Sequence, residues 1–210
     1  MAVFLLIRHG ENDSITRNTL AGRTPGVHLN DEGMSQAVRI ANTLSDFTIK
    51  AIISSPLDRA LETAKPTAEL MRLPVLIAPG LIEADYGSWQ GQSFKTLRRL
   101  KLWRMVHETP TKVRYPGGES ILEIHERVVK EIDDLAGKYG EKDVVAVFSH
   151  SDVLRIAISH YLNMPLDDFH RLQIDTASIT VLTLSTAKPR LSHINITDTI
   201  KLERHHARQG

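Results

Sequence analysis

Apolar residues along the chain follow two periodicities that alternate. Short runs with few polar breaks, "AVFLLIR", "KAIISSP", "LPVLIAP" and "DVVAVFSH", read as strands buried on both faces. Between them, apolar residues recur three and four apart, the spacing of amphipathic helices. "NDEGMSQAVRIANTLSDF" puts Ala37, Ile40, Ala41 and Leu44 on one face, with Asn30 or Asp31 as its cap. In "PLDRALETAKPTAELM", Pro56 suits a first-turn position and Pro66 predicts a kink or interruption. "GGESILEIHERVVKEIDDLAGKYG" is a long helix with Ile121, Ile124, Val128, Ile132 and Leu135 in line. "SDVLRIAISHYL" is the helix after the fourth strand, and "ASITVLTL" and "RLSHINIT" are two late strands. Strands alternating with helices predict an α/β fold, a three-layer α/β/α sandwich with a mainly parallel central sheet.

The length of 210 residues is read as a single domain over 1–200, with a less regular, cap-like insertion at about 87–117 and a polar tail at 201–210. A formal net charge of +1 offers no global field for nucleic acid or an anionic membrane. The chain has no cysteine, which excludes a disulfide framework, a thiolate metal site and a cysteine nucleophile. No basic leader precedes the first strand, and no uncharged stretch reaches the roughly 18 residues of a membrane span. The expectation is a cytoplasmic protein.

In open α/β sheets, ligands bind just outside the carboxyl ends of the strands. The first strand delivers Arg8 and His9 there, and the second delivers "SSPLDR" with Arg59 on the first turn of the next helix. The third is followed by "GLIEADYG", which offers Glu83, and the fourth delivers Ser149 and His150. Each residue alone has a bland reading as a structural or solvated side chain; their coincidence at one sheet edge carries the weight. Two histidines and a carboxylate could ligate a metal, but two nearby guanidiniums repel a dication. They favour a phosphoryl group, whose oxygens match the arginine fork. A histidine beside that group can act as nucleophile, kept neutral by the two cations. A carboxyl can protonate the leaving oxygen and then deprotonate water. The second histidine and the arginines can stabilise the transferring oxygens, so no metal or other cofactor is required.

The motifs resemble those of the histidine phosphatase, or phosphoglycerate-mutase-like, superfamily. "LIRHGE" is similar to its RHG signature, and "LNDEGMSQA", "SSPLDRALETA", "LIEADYGSWQG", "YPGGES" and "FSHSDVLR" follow in family order, from Val3 to about Leu184. The resemblance implies that His9 is the phosphorylated nucleophile and that Arg8, Arg59 and His150 bind the phosphoryl oxygens. It makes Glu83 the general acid and then the base. Asn12, Gly22, Arg23 and Ser151 are further candidate phosphate or substrate contacts. Two positions depart from the family pattern. Ile15 stands where an asparagine is frequent, with Asn12 and Asn18 nearby, and Ser151 and Asp152 follow the second histidine in place of glycine. An acidic side chain facing a phosphate is costly, so Ser151 or Asp152 is expected to cap the next helix.

The activity this implies is hydrolysis of a small phosphomonoester, with family membership pointing to a metabolite such as a sugar phosphate or a phosphoglycerate-like acid. Phosphoglycerate-mutase-type phosphoryl transfer is the alternative, disfavoured by the short segment between Glu83 and "PGGES". A catalytically weak binding or scaffold protein is a second alternative, disfavoured because His9 and Glu83 are both present. Four cations in "LRRLKLWR" (Arg98, Arg99, Lys101 and Arg104) read either as a solvated helix face or as a cap holding the acidic end of a substrate. Trp89 is expected to pack behind the Glu83 loop. His28, His107, His125, His160, His170 and His193 have no evident convergent partner. The resemblance makes a homodimer one possible assembly, since dimers are common among relatives; the sequence itself does not fix the oligomeric state.

Overall fold

In the computed structural model, which describes residues 2–140, 142–184 and 188–197, the two-sided strands are the organising feature. Strand β1 (Ala2–Arg8) sends Phe4 and Leu6 into one apolar layer and Leu5 and Ile7 into the other. The chain then passes through a short helix α1 (Asp13–Thr16) and helix α2 (Asp31–Leu44) to strand β2 (Ile49–Ser54). Helix α3 (Asp58–Met71) and strand β3 (Val75–Ile77) follow. Next come α4 (Phe94–Leu97), α5 (Lys101–Glu108) and the long α6 (Ile121–Lys138). Strand β4 (Val144–Ser149), helix α7 (Ser151–Tyr161) and strands β5 (Ile179–Leu184) and β6 (Arg190–Ile196) complete the described chain.

The six strands form one sheet in the order β3-β2-β4-β1-β5-β6. Pairings β1–β4, β2–β4 and β2–β3 are parallel, while β5 and β6 add antiparallel at one side. Helices α2 and α3 cover the layer holding Leu5, Ile7, Ile52 and Phe148. Helices α6 and α7 cover the opposite layer, with Phe4, Leu6, Ile53 and Val147. The expected three layers follow, because a strand with period-2 side chains that are apolar on both sides must be covered twice. Helix α6 begins at Ser120, whose hydroxyl and the Glu123 side chain form a reciprocal capping box. Among the described residues, no helix is long and apolar enough to cross a membrane.

Four local expectations need correction. Helix α3 runs unbroken through Pro66, because its inner face, including Ala60, Thr63, Ala64 and Thr67, is buried and tertiary packing outweighs the one missing N–H. Pro56 precedes the N-cap, Leu57, rather than sitting in the first turn. The third strand shrinks to three residues at the sheet edge, with Leu76 and Ile77 exposed. The segment read as less regular forms α4 and α5, which bury Leu97 and Val106. The polar tail at 201–210 lies outside the described residues.

Candidate active site

The site is assembled at the carboxyl edge of the parallel strands. His9 follows β1 directly and is buried. Its Nδ1 lies 2.7 Å from the Gly10 carbonyl, and the Gly10 N–H donates to Thr63 Oγ1 on α3 at 3.0 Å. Because a carbonyl only accepts, Nδ1 carries the ring proton and Nε2 keeps its lone pair. Residue 10 must be small: a Cβ there would lie 2.7 Å from the Gly33 carbonyl oxygen at the start of α2. Burial first, then the charges of Arg59 and Arg8, hold the His9 pKa well below the usual imidazole value, so the ring is neutral.

Two guanidiniums flank this ring, that of Arg59 buried and that of Arg8 partly buried. Arg59, in the first turn of α3, donates from Nε to His9 Nε2 at 3.2 Å and from Nη2 to the Gly22 carbonyl at 2.8 Å. Arg8 donates from Nη1 to the Ile174 carbonyl at 2.7 Å. These acceptors are neutral, and Arg8 Nε is buried without a partner among the described residues. Burial lowers both arginine pKa values. Buried cations satisfied by neutral groups alone are costly, and an anion at this place removes the cost.

His150 is the N-cap residue of α7 and is fully buried, its ring centroid 5.2 Å from that of His9. Its Nε2 is 2.7 Å from Ser55 Oγ, and its Nδ1 has no partner among the described residues. Burial, followed by the charge of Arg59, holds this ring neutral as well. The expected cap from Ser151 or Asp152 is not made: among the described residues no side chain caps α7. The open first turn, with its unpaired N–H groups, therefore lies at the cavity, since Ser151 and Asp152 both line it.

Glu83 sits in the loop after β3, and its position is fixed through its backbone. The Glu83 carbonyl accepts from Arg23 Nε at 2.8 Å and from Arg127 Nη2 at 3.2 Å. Arg127 Nη1 also donates to the carbonyls of Gly80 and Ile82, each at 2.7 Å. Both arginines pair with Glu119, which in turn accepts from the Asp85 N–H. Burial pushes the Glu83 carboxyl up to about 7; the charge of Asp152 adds to this, and Arg59 opposes it.

Asp152 is partly buried and accepts from Tyr86 Oη at 2.8 Å and from Arg155 Nη1 at 3.1 Å. His170 and Arg155 hold its own pKa down despite burial, so it is ionised. An Asp152→Asn variant removes that charge and lowers the Glu83 pKa. The alkaline limb of the activity profile is expected to move to lower pH, with the activity at acid pH retained. An unmoved limb in the same titration would mean that Asp152 does not act on Glu83.

The sequence-predicted residues divide as follows. Arg8, His9, Asn12, Gly22, Arg59, Glu83 and Ser151 all line one cavity of about 320 Å³. His150 stands buried behind its wall. Arg23 does not line it, because its guanidinium is committed to the Glu83 carbonyl and Glu119. Asn12 caps α1 through its side-chain oxygen and leaves Nδ2 unpartnered among the described residues. Ile15 and Asn18 also line the cavity. Arg98, Arg99, Lys101 and Arg104 are exposed and do not line it. Trp89 packs against Tyr115 behind the Glu83 loop, as expected, and also faces the cavity.

Several contributors went unrecognised in the sequence. Thr63, Ser55 and Glu119 orient the chemical groups, and Tyr86, Phe94, Trp103 and Arg155 line the cavity. His107 and His170 do have a convergent partner, namely each other, with ring centroids 4.6 Å apart. His125 and His160 likewise meet at 3.1 Å, and His28 pairs with Glu62. Ser55 does stand at a strand end, directly after β2, where a small hydroxyl carries no signal of its own; the others come from loops and helices, which a strand-end search does not reach.

A buried, Nδ1-protonated imidazole, two arginines and a raised carboxyl at the end of a parallel sheet form a site whose chemistry suits a phosphoryl group. The chain belongs to the histidine phosphatase superfamily, branch 1, whose family model matches residues 4–197. It is 30% identical over 202 residues to phosphoserine phosphatase 1 of Hydrogenobacter thermophilus, covering 94% of this chain and 93% of that one. It is 29% identical over 203 residues to the 2,3-bisphosphoglycerate-dependent phosphoglycerate mutase of Thermoplasma acidophilum, covering 96% and 97%. A mutant phosphoserine phosphatase of Entamoeba histolytica, solved with phosphoserine, superimposes with a TM-score of 0.86 at 25% identity, over 96% of this chain and 100% of that one.

Proposed function

We propose that this protein is a phosphomonoester phosphatase that works through a phosphohistidine on His9, with Glu83 as proton donor. The observation that carries the reading is the pairing of a neutral, Nδ1-protonated His9 with a Glu83 carboxyl pushed up to about 7 in the same cavity. A phosphoryl group entering between Arg8 and Arg59 supplies the anion that these guanidiniums lack. The Arg59 Nε–H then turns from His9 Nε2 to a phosphoryl oxygen, which frees the lone pair for in-line attack. A neutral His150 that accepts the Ser55 hydroxyl at Nε2 has its proton on Nδ1, ready for a phosphoryl oxygen. Glu83 protonates the leaving oxygen, and as a carboxylate it then takes a proton from the water that attacks phosphohistidine. The arginines supply the positive charge that a metal ion supplies in other phosphoryl-transfer sites.

Water and a second hydroxyl compete for the same intermediate, and the likeness to the Thermoplasma mutase keeps transfer to a hydroxyl as the second reading. One assay separates them. With EDTA present, the purified protein is given a panel of phosphomonoesters, and 3-phosphoglycerate is run with and without 2,3-bisphosphoglycerate. Phosphate release without added metal is the expected result. Isomerisation of 3-phosphoglycerate without release would replace the phosphatase reading with the mutase one.

A further inference from the structure

Beyond the phosphoryl pole, the cavity wall is made of rings. Phe94 meets Trp103 with centroids 5.8 Å apart, Trp103 meets His107 at 4.8 Å, and His107 meets His170 at 4.6 Å. On the other side Trp103 approaches Trp89 at 6.0 Å, and Trp89 meets Tyr115 at 5.5 Å. All of these residues line the cavity. Aromatic residues make up only 5% of the chain, yet both tryptophans and two of its four tyrosines face this one space. Leu20 and Val106 also line it.

This wall carries no free positive charge. Burial lowers the pKa of His107 and of His170 and favours their neutral forms; at His170 the charge of Asp152 opposes this, so a proton there is already matched by a carboxylate. Arg98, Arg99, Lys101 and Arg104 do not line the cavity, though Arg98 is near enough for its charge to act on His107, and Arg104 is bonded to Glu108. Once Arg8 and Arg59 hold the phosphoryl group, the remaining arginine at the wall is Arg155. It is already paired with Asp152 and donates from Nε to the Leu172 carbonyl. A substrate carboxylate would therefore meet a neutralised arginine and the negative charge of Asp152. A flat apolar group would meet faces and edges of rings, which attract it through burial and offset or edge-on stacking. A volume of about 320 Å³ lies at the small end of ligand pockets, enough for a phosphoryl group and one or two fused rings.

We propose that the ring-lined half of this cavity selects phosphomonoesters whose leaving group bears an aromatic ring, over acidic metabolites such as phosphoserine or 3-phosphoglycerate. The proposal rests on the phosphatase reading of the same site and adds the class of leaving group. The ring sits against Trp103 and Phe94, with the ester oxygen toward Glu83.

The test uses leaving alcohols of similar acidity, so that chemistry does not mimic selectivity. Benzyl phosphate and 2-naphthylmethyl phosphate are compared with O-phospho-L-serine and 3-phosphoglycerate on the wild-type enzyme. The arylmethyl esters are expected to have the higher kcat/KM, by at least about tenfold, the scale on which apolar pockets discriminate. Trp103→Ala and, separately, Phe94→Leu are expected to shrink that ratio, mainly through KM. The affinities of a His9→Ala protein for benzyl phosphate and phosphoserine are measured in parallel, with no turnover needed. Tighter binding of benzyl phosphate supports the proposal even where phosphate release fails, in which case only the phosphatase reading falls. Equal or tighter binding of phosphoserine, or a higher kcat/KM for it, overturns the proposal and leaves the phosphatase reading standing.

Discussion

His9→Ala loses phosphate release by roughly 10⁴-fold or more, because the covalent route has no substitute nucleophile. The expected loss is in kcat, since Arg8, Arg59 and the cavity wall still bind the ester. The companion measurement is direct. Wild-type protein mixed briefly with a radiolabelled phosphomonoester and quenched in base retains label on the protein, and that label is lost on acid treatment, as expected of an N-linked phosphoryl group. The His9→Ala protein retains none. Wild-type turnover in the variant would remove His9 from the chemistry altogether. Its partners Gly10 and Thr63, which set the imidazole tautomer, would then need another explanation.

The second large effect belongs to Glu83. In single-turnover phosphorylation of the enzyme, Glu83→Gln is expected to slow alkyl phosphates by roughly 10²- to 10⁴-fold, the usual range for a lost general acid. A nitrophenyl ester, whose leaving oxygen needs no proton, slows far less. The pH dependence follows with a definite sign. The carboxyl is active in the first step only when protonated, and it sits at about 7. Phosphorylation by alkyl esters should therefore decline as pH rises through that value, and the Gln variant should lack the limb. Equal slowing of both ester types, with the limb intact, would exclude Glu83 as the donor.

The parts of the site visible in the sequence are those set by short-range pattern. Unbroken apolar runs mark β1, β2 and β4, and the residues that end them, Arg8, His9, Ser149 and His150, are adjacent in sequence to the strands that place them. The parts that were missed depend on distant partners. Asp152 looked like a helix cap, but its bond is to Tyr86, 66 positions away. Arg23 looked like a substrate contact, but Glu119 lies 96 positions on and claims it. Pro66 is a helix breaker by local rule, and the buried inner face of α3 overrules it. The ring wall shows no period at all, because it joins residues from a loop, two short helices and the segment before β5. Only the fold brings them together.

The clamp around Glu83 has a consequence for how the protein can change. Glu83, the proposed proton donor, is tied to α6 through Arg127 and Glu119, and to the loop after α1 through Arg23, by bonds to its backbone. None of these anchors belongs to α4 or α5, which supply Phe94, Trp103 and His107 to the wall. The proposed proton donor and the proposed ring contacts thus sit on separately supported parts of one chain. Mutational drift in the α4–α5 segment can trade one clientele for another while the proton donor stays in place. For an engineer, that segment is the natural place to build a library, with residues 80–83, 119 and 127 left untouched.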